Sequence, residues 1–347
     1  MDFLLENPLV VGLSGALSTL SKRRESLGLS NPGTLEQLSR EVQKDVLLTN
    51  HLFTGMRADL TKSFSVSPLF QISHSFSMGA GQGMPPYTLA TLFGNSNTFM
   101  QGNIDNDGNL NGRLNYRWNP NFVTKLSAQV ANSPGQSVFS IENDYTGKDF
   151  SACFKSVNPS ILDGGLTGIF IGSYLQAITP RLSLGLEMLW QRPSAAMGPE
   201  TALSYVARYA TKEWIVTGQL QAQGVLQATY WRKIAERLDA GVECQLALTG
   251  APGGAMMGGS PRKEGVTSVG AKYEFRASVF RAQIDSSGRL GCVLEKRVAP
   301  AVMLTFAGEM DHAKNQAKCG IAVSIEAGGE ELMDQDQATQ PAIPPPF

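Results

Sequence analysis

Apolar and polar side chains alternate with a period of two from about residue 52 to residue 326, in segments of about nine to twelve residues bounded by turn formers. Phe70, Ile72, His74, Phe76 and Met78 alternate with Gln71, Ser73, Ser75 and Ser77. Leu110, Gly112, Leu114, Tyr116 and Trp118 alternate with Asn111, Arg113, Asn115 and Arg117; Leu182, Leu184, Leu186, Met188 and Trp190 alternate with Arg181, Ser183, Gly185 and Glu187. Between such runs lie Asn106-Asp107-Gly108-Asn109, Asn119-Pro120-Asn121, Ser133-Pro134-Gly135, Asn158-Pro159, Thr179-Pro180, Ser286-Ser287-Gly288 and Ala299-Pro300, whose backbone preferences favour reversals. The pattern predicts an all-β chain of about nineteen strands.

Residues 1–50 follow a different rhythm. Thr34 and Gln37 have the spacing of a capping box, and Leu35, Leu38, Val42 and Val46 fall near helical spacing, predicting a modestly amphipathic helix over 34–46. Gly250–Pro261 reads as an extended loop, and residues 327–347 as a flexible tail. The expected organisation is an N-terminal segment (1–50), a β-region (51–326) and the tail.

So many strands with one apolar face must put that face somewhere. A sandwich hides it between two sheets, whereas a membrane barrel turns it towards lipid. Strands of about ten residues, tilted, span the apolar band of a membrane barrel. Aromatics such as Trp118 and Trp190 end the apolar rows, where an interfacial girdle places them. The opposite phase carries charges in mid-strand, which suits a wet lumen. A row of charges is equally the solvent face of a sandwich, so both architectures stand on alternation alone.

Composition sharpens the picture. Charged residues are only 17% of the 347, glycine reaches 36, and 29 Lys and Arg balance 30 Asp and Glu. That near-neutral balance argues against binding nucleic acid by bulk charge. No uninterrupted apolar run approaches the ~18 residues of a membrane helix. The N-terminus carries its basic cluster after the apolar stretch, the wrong order for a secretory signal. Cys153, Cys244, Cys292 and Cys319 lack C-x-x-C spacing and read as reduced packing residues, and three histidines are too few and scattered for most zinc sites.

Enzyme motifs fail on inspection. Asp105, Asp107, Asn109 and Asn111 mimic half of a calcium loop, but Leu110 and Tyr116 stand where its glycine and bidentate glutamate belong, so a strand-joining turn is the better reading. Gly79, Gly81 and Gly83 lack the helix and lysine of a phosphate loop, and no G-x-S-x-G elbow occurs. No catalytic residue, metal ligand or cofactor is expected.

Several stretches in order carry a family resemblance: LSNPGTLEQLSREV (Leu29–Val42), FTGMRADLTKSF (Phe53–Phe64), FQISHSFSMG (Phe70–Gly79), PPYTLATLFG (Pro85–Gly94), then QGNID and RLNYRWN. They resemble the channel-forming forty-kilodalton subunits of the translocase of the outer mitochondrial membrane, fungal type, within the mitochondrial porin superfamily. The resemblance implies a nineteen-stranded barrel whose first and last strands pair in parallel, with both termini in the intermembrane space. With an odd strand count, residues before 52 must then run back through the pore. It also implies partners: precursors bearing presequences, small single-span subunits, a receptor subunit, membrane lipid and a second barrel. Lys318, Gly320, Val323 and Ile325 match the polar-x-Gly-x-x-apolar-x-apolar sorting signal of mitochondrial barrels.

On that reading the polar phase is the pore wall. Alternation assigns Asp59, Glu142, Asp144, Glu187, Glu243, Glu274, Asp285, Glu295, Glu309 and Glu326 to it, with basic neighbours Arg57, Arg113, Arg117, Lys125, Arg281 and Lys318. Acids in a wet pore attract basic presequences weakly and reversibly, and Met303 and Val293 offer an apolar track. A metabolite-conducting anion channel is the nearest alternative, for which a more basic chain is expected; a soluble β-rich binding protein is the alternative from another class.

Overall fold

The computed structural model describes residue 24 and residues 28–79, 85–132, 135–160, 166–193, 198–222, 224–248 and 263–328. Residues 1–20, the glycine loop Gly250–Pro261, the turn residues 133–134, Gly81 and Gly83, and nearly all of the tail lie outside them.

Nineteen strands form one closed sheet in which each pairs with its chain neighbours and the first with the last. They are β1 (Gly55–Val66), β2 (Leu69–Met78), β3 (Tyr87–Gly94), β4 (Thr98–Asp105), β5 (Leu110–Asn119), β6 (Phe122–Val130), β7 (Val138–Thr146), β8 (Phe150–Ser160), β9 (Thr167–Ala177) and β10 (Leu182–Arg192). There follow β11 (Glu200–Ala210), β12 (Trp214–Leu220), β13 (Val225–Ala235), β14 (Leu238–Leu248), β15 (Lys263–Glu274), β16 (Ser278–Asp285), β17 (Arg289–Ala299), β18 (Val302–Asp311) and β19 (Gln316–Ala327). Neighbouring pairs are antiparallel, but β1 and β19 run parallel from Gly55↔Gly320 to Lys62↔Ala327. Closure leaves no free edge, the condition for a sheet in lipid.

Alternation fixes which side chains face out. Met56, Leu60, Phe76, Met100, Leu186, Met188, Phe306 and Ile321 are large, apolar and exposed, all on the outer phase. A sandwich would have buried this surface; a barrel presents it to hydrocarbon. Trp118 ends β5 at one end of the barrel, whereas Trp190 lies near the opposite end in β10, so each end carries girdle aromatics. Cys292 and Cys319 are free and exposed on the outer phase rather than packed in protein; Cys153 and Cys244 are half-buried.

The two ends differ. Every odd-numbered strand runs towards the same end, where the connections are short, none longer than residues 178–181. The opposite end holds the longer connections, including 79–86, 161–166 and 249–262. The β4–β5 turn belongs to this second end. There Asp105 accepts hydrogen bonds from the backbone of Asp107 (3.0 Å) and Asn109 (2.8 Å), an Asx turn and not an ion cage.

An inner strap, residues 28–54, crosses the lumen. Asn31 Nδ2 donates to Gly147 O and Phe150 O, both at 2.8 Å, at the short-turn end, and Arg24 pairs with Asp149 there. Gly55 begins β1 at the long-loop end, so the strap traverses the barrel, and Ala327 leaves β19 at the end where the strap started. The predicted helix is broken into a 3-10 turn, Leu35–Gln37, and a π-helical turn, Glu41–Val46. Thr34 makes no side-chain cap; Asn31 Oδ1 instead accepts from Gly33 N at 2.7 Å.

The reason is the wall beneath it. Leu38 packs with Leu175 and Val206, and Leu48 with Val293 and Ala307. Gly241, Gly270, Gly291 and Gly320 face inward and form steps on which the strap sits. A Cβ would come within 3.2 Å of Val42 at Gly241, 3.0 Å of Leu47 at Gly270 and 3.1 Å of Leu48 at Gly291, and would strike the Phe53 carbonyl at Gly320. Following this staircase matters more than ideal helical geometry, because each fully buried aliphatic side chain contributes roughly 1.5–3 kcal/mol.

Candidate functional site: the pore wall

Strand register places all sixteen wall residues assigned by alternation on the inner phase. Their surroundings separate them into distinct groups.

The first group is engaged within the wall. Lys125 Nζ bridges Glu142 Oε1 (2.8 Å) and Asp144 Oδ2 (2.6 Å), with Lys155 3.5 Å from Glu142. Glu142, Asp144 and Cys153 bring ligand-type atoms within 4.8 Å of one another, but the Lys125 ammonium already supplies the counter-charge of this cluster. Asp59 pairs with Arg57 at 2.9 Å and accepts from Ser75; Glu274 pairs with Lys272 at 2.6 Å; Asp285 accepts from Gln283 at 2.8 Å. Arg113 donates to Asn115 at 3.2 Å.

The second group holds the strap. Glu243 is buried and accepts from three amides, Gln43 of the strap (2.8 Å), Gln227 (2.7 Å) and Gln245 (2.9 Å). Arg281 donates to Asp45 O (3.1 Å) and lies 2.9 Å from Glu295, while Gln283 Oε1 accepts from Leu48 N at 2.7 Å. Glu243 is therefore sealed beneath the strap and is no part of an open path. The same holds for Val293, inner-facing but 0% exposed under Leu48. Alternation gives a side chain's face and cannot give what covers it.

The third group is open. Glu187 sits mid-wall between Ser173 and Ser204 with no hydrogen bond or ion pair among the described residues, and the same is true of Glu309 and Glu326. Glu309 shares a small cavity at the long-loop end with Arg289, Lys314 and Lys318. Met303 is 37% exposed near the short-turn end.

Two features escaped the sequence reading. Arg208 clamps the strap, donating to Pro32 O (3.1 Å) and Glu41 (2.9 Å); its phase in β11 marks it as inner, and only its partner was invisible. Val157, Ile169, Ile171 and Leu189 form an apolar strip on the inner wall of β8–β10 towards the long-loop end. Strand β9 is apolar on both phases, so alternation carried no signal there.

A closed barrel with apolar exterior, polar wall and a strapped lumen is a membrane channel. The sequence pattern of the eukaryotic porin family matches residues 31–320. The chain is 51% identical to the mitochondrial import receptor subunit tom40 of Neurospora crassa, over 98% of this chain and 96% of that one, and 44% identical to its Saccharomyces cerevisiae counterpart, over 96% and 88%. The human homolog is 28% identical over 86% of this chain and 79% of its own. Among solved structures, a Rh. blastica porin mutant aligns at a TM-score of 0.42 with 10% identity, over 70% of this chain and 92% of that one. The chain belongs to the eukaryotic porin family and, within it, to the Tom40 import receptor subunits of fungal type.

Proposed function

We propose that the barrel is the protein-conducting channel of the outer mitochondrial membrane, importing unfolded precursor polypeptides. Kinship with the import receptor subunits over nearly the whole chain carries the reading. The wall supports it chemically. Glu187, Glu309 and Glu326 supply uncommitted negative charge, against which a basic presequence exchanges weak contacts without being trapped. The strip Val157–Ile169–Ile171–Leu189 offers apolar segments a separate track and replaces Val293 in that role. Acids already neutralised by Lys125 or Arg281 tune the wall's net charge and do not bind cargo directly.

The parts around this path follow the same logic. Both termini leave at the short-turn end, which faces the intermembrane space, and Lys318, Gly320, Val323 and Ile325 are the sorting signal read during insertion. Small single-span subunits and a receptor subunit dock on the apolar exterior, and two barrels associate in the assembled translocase. Planar-bilayer recording tests the central reading: a cation-preferring pore transiently blocked by presequence peptide is expected, and an anion-selective pore indifferent to the peptide would favour the metabolite channel.

A further inference from the structure

The exterior is not electrically symmetric. On the outer phase near the short-turn end, Arg232 stands beside Trp214 and Ala240, and Lys296 beside Ser278 and Leu304. The neighbouring turns add Lys212, Arg237 and Arg276. All five are exposed, and none forms an ion pair among the described residues. The acids of these turns are Glu213 and Glu236, so five cations face two acids over β11–β17. At the opposite end of the same arc the outer phase is mostly apolar, with Leu220, Leu246, Ile284 and Leu290 exposed and Leu226 half-buried, and register adds the single charge of Lys263 at the start of β15.

Position decides what these cations meet. Arg232 and Lys296 lie inside strands on the lipid-facing phase, so their charged ends must snorkel along the barrel surface to the head-group layer. Aromatics mark that layer on the same strands: Trp214 stacks with Tyr209 at 5.1 Å and lies 6.4 Å from Tyr230, and Tyr273 packs on Phe275. A guanidinium or ammonium held there meets phosphate oxygens, and each additional cation near an anionic surface adds to the attraction.

We propose that the short-turn rim over β11–β17 is a binding arc for anionic phospholipid, selecting negatively charged head groups in the leaflet at that end. The inference needs only that the barrel spans a bilayer and is independent of what passes through it. The arc fits phospholipid better than an acidic protein because Arg232 and Lys296 rise from membrane-facing positions, where a soluble partner has no access.

The test equilibrates the full-length barrel in neutral detergent with equal amounts of phosphatidylcholine and phosphatidylglycerol, then repurifies it and quantifies the retained head groups. Phosphatidylglycerol should be retained several-fold over phosphatidylcholine, and the preference should fall at high salt. The combined variant K212Q/R232Q/R237Q/R276Q/K296Q should lose it, while K148Q/K314Q, whose charges lie outside the arc, should keep it. Heat-modifiable mobility in both variants reports that the barrel has folded. Equal retention of the two lipids by the unaltered protein, or an unchanged preference in the five-fold variant, overturns the proposal. So does loss of co-purifying subunits from the five-fold variant with lipid preference intact, which would assign the arc to protein.

Discussion

At the scale of single residues, the wall's acids are chemically alike and environmentally unlike, and their environments make separable predictions. Glu187 has no partner among the described residues, so Glu187→Gln should weaken block by a presequence peptide by about 2–5-fold, the worth of one solvent-screened ion pair. Glu142→Gln should leave the block nearly unchanged, because Lys125 and Lys155 already oppose that charge. Lys125→Met frees Asp144 and leaves Glu142 only the longer pairing with Lys155. It should lower resistance to urea by about 1–3 kcal/mol, since the buried Asp144 loses its cation while Glu142 keeps Lys155, and should strengthen peptide block in the same channels. Peptide titration of single channels reads all three; a weaker block in Lys125→Met would mean that the cluster does not compete with cargo. Alternation in sequence revealed the face of each acid, because period two is a property of the backbone. It could not show that Lys125 bridges two carboxylates, or that Glu243 is roofed by Gln43, since both depend on neighbours far away in sequence.

At the scale of elements, the strap behaves as part of the wall. Its apolar residues were legible as a stripe, yet the expected helix became a 3-10 turn followed by a π turn. The stripe supplies burial energy, and the glycine staircase supplies the track; a straight helix would lift Leu47 and Leu48 from Gly270 and Gly291. Arg208 and Arg281 donate to strap carbonyl oxygens with no intrahelical donor, Pro32 O ahead of the 3-10 turn and Asp45 O in the last turn. Val46→Asp puts a charge where the side chain is 0% exposed, at a cost of several kcal/mol. The strap should detach without opening the sheet. In reconstituted channels this predicts larger, noisier conductance and protease cleavage within residues 28–54, with the barrel fragment intact. Conductance and protection equal to those of the parent would show that the strap's seat does not depend on this contact.

At the scale of the whole molecule, an odd number of strands forces one parallel seam, where the first and last strands meet. Gly320 lies at its start, opposite Gly55, and a Cβ there would strike the Phe53 carbonyl. The glycine of the sorting pattern thus has a second duty: it lets the strap turn out of the lumen into β1 just as the last strand closes on the first. The two duties are separable. If Gly320 serves recognition alone, Gly320→Ala should slow insertion into mitochondria and leave refolding from urea into detergent untouched. If closure matters as well, Gly320→Ala should slow refolding too, and adding Phe53→Gly, which relaxes that turn, should restore refolding in part. The seam itself is tested by cysteine pairs: Ala58→Cys with Val323→Cys, partners in the parallel register, should cross-link on mild oxidation, whereas Ala58→Cys with Ala327→Cys should not. Rescue of refolding by the Phe53 change, with insertion still slow, would place Gly320 in both steps, because only closure depends on how residue 53 packs.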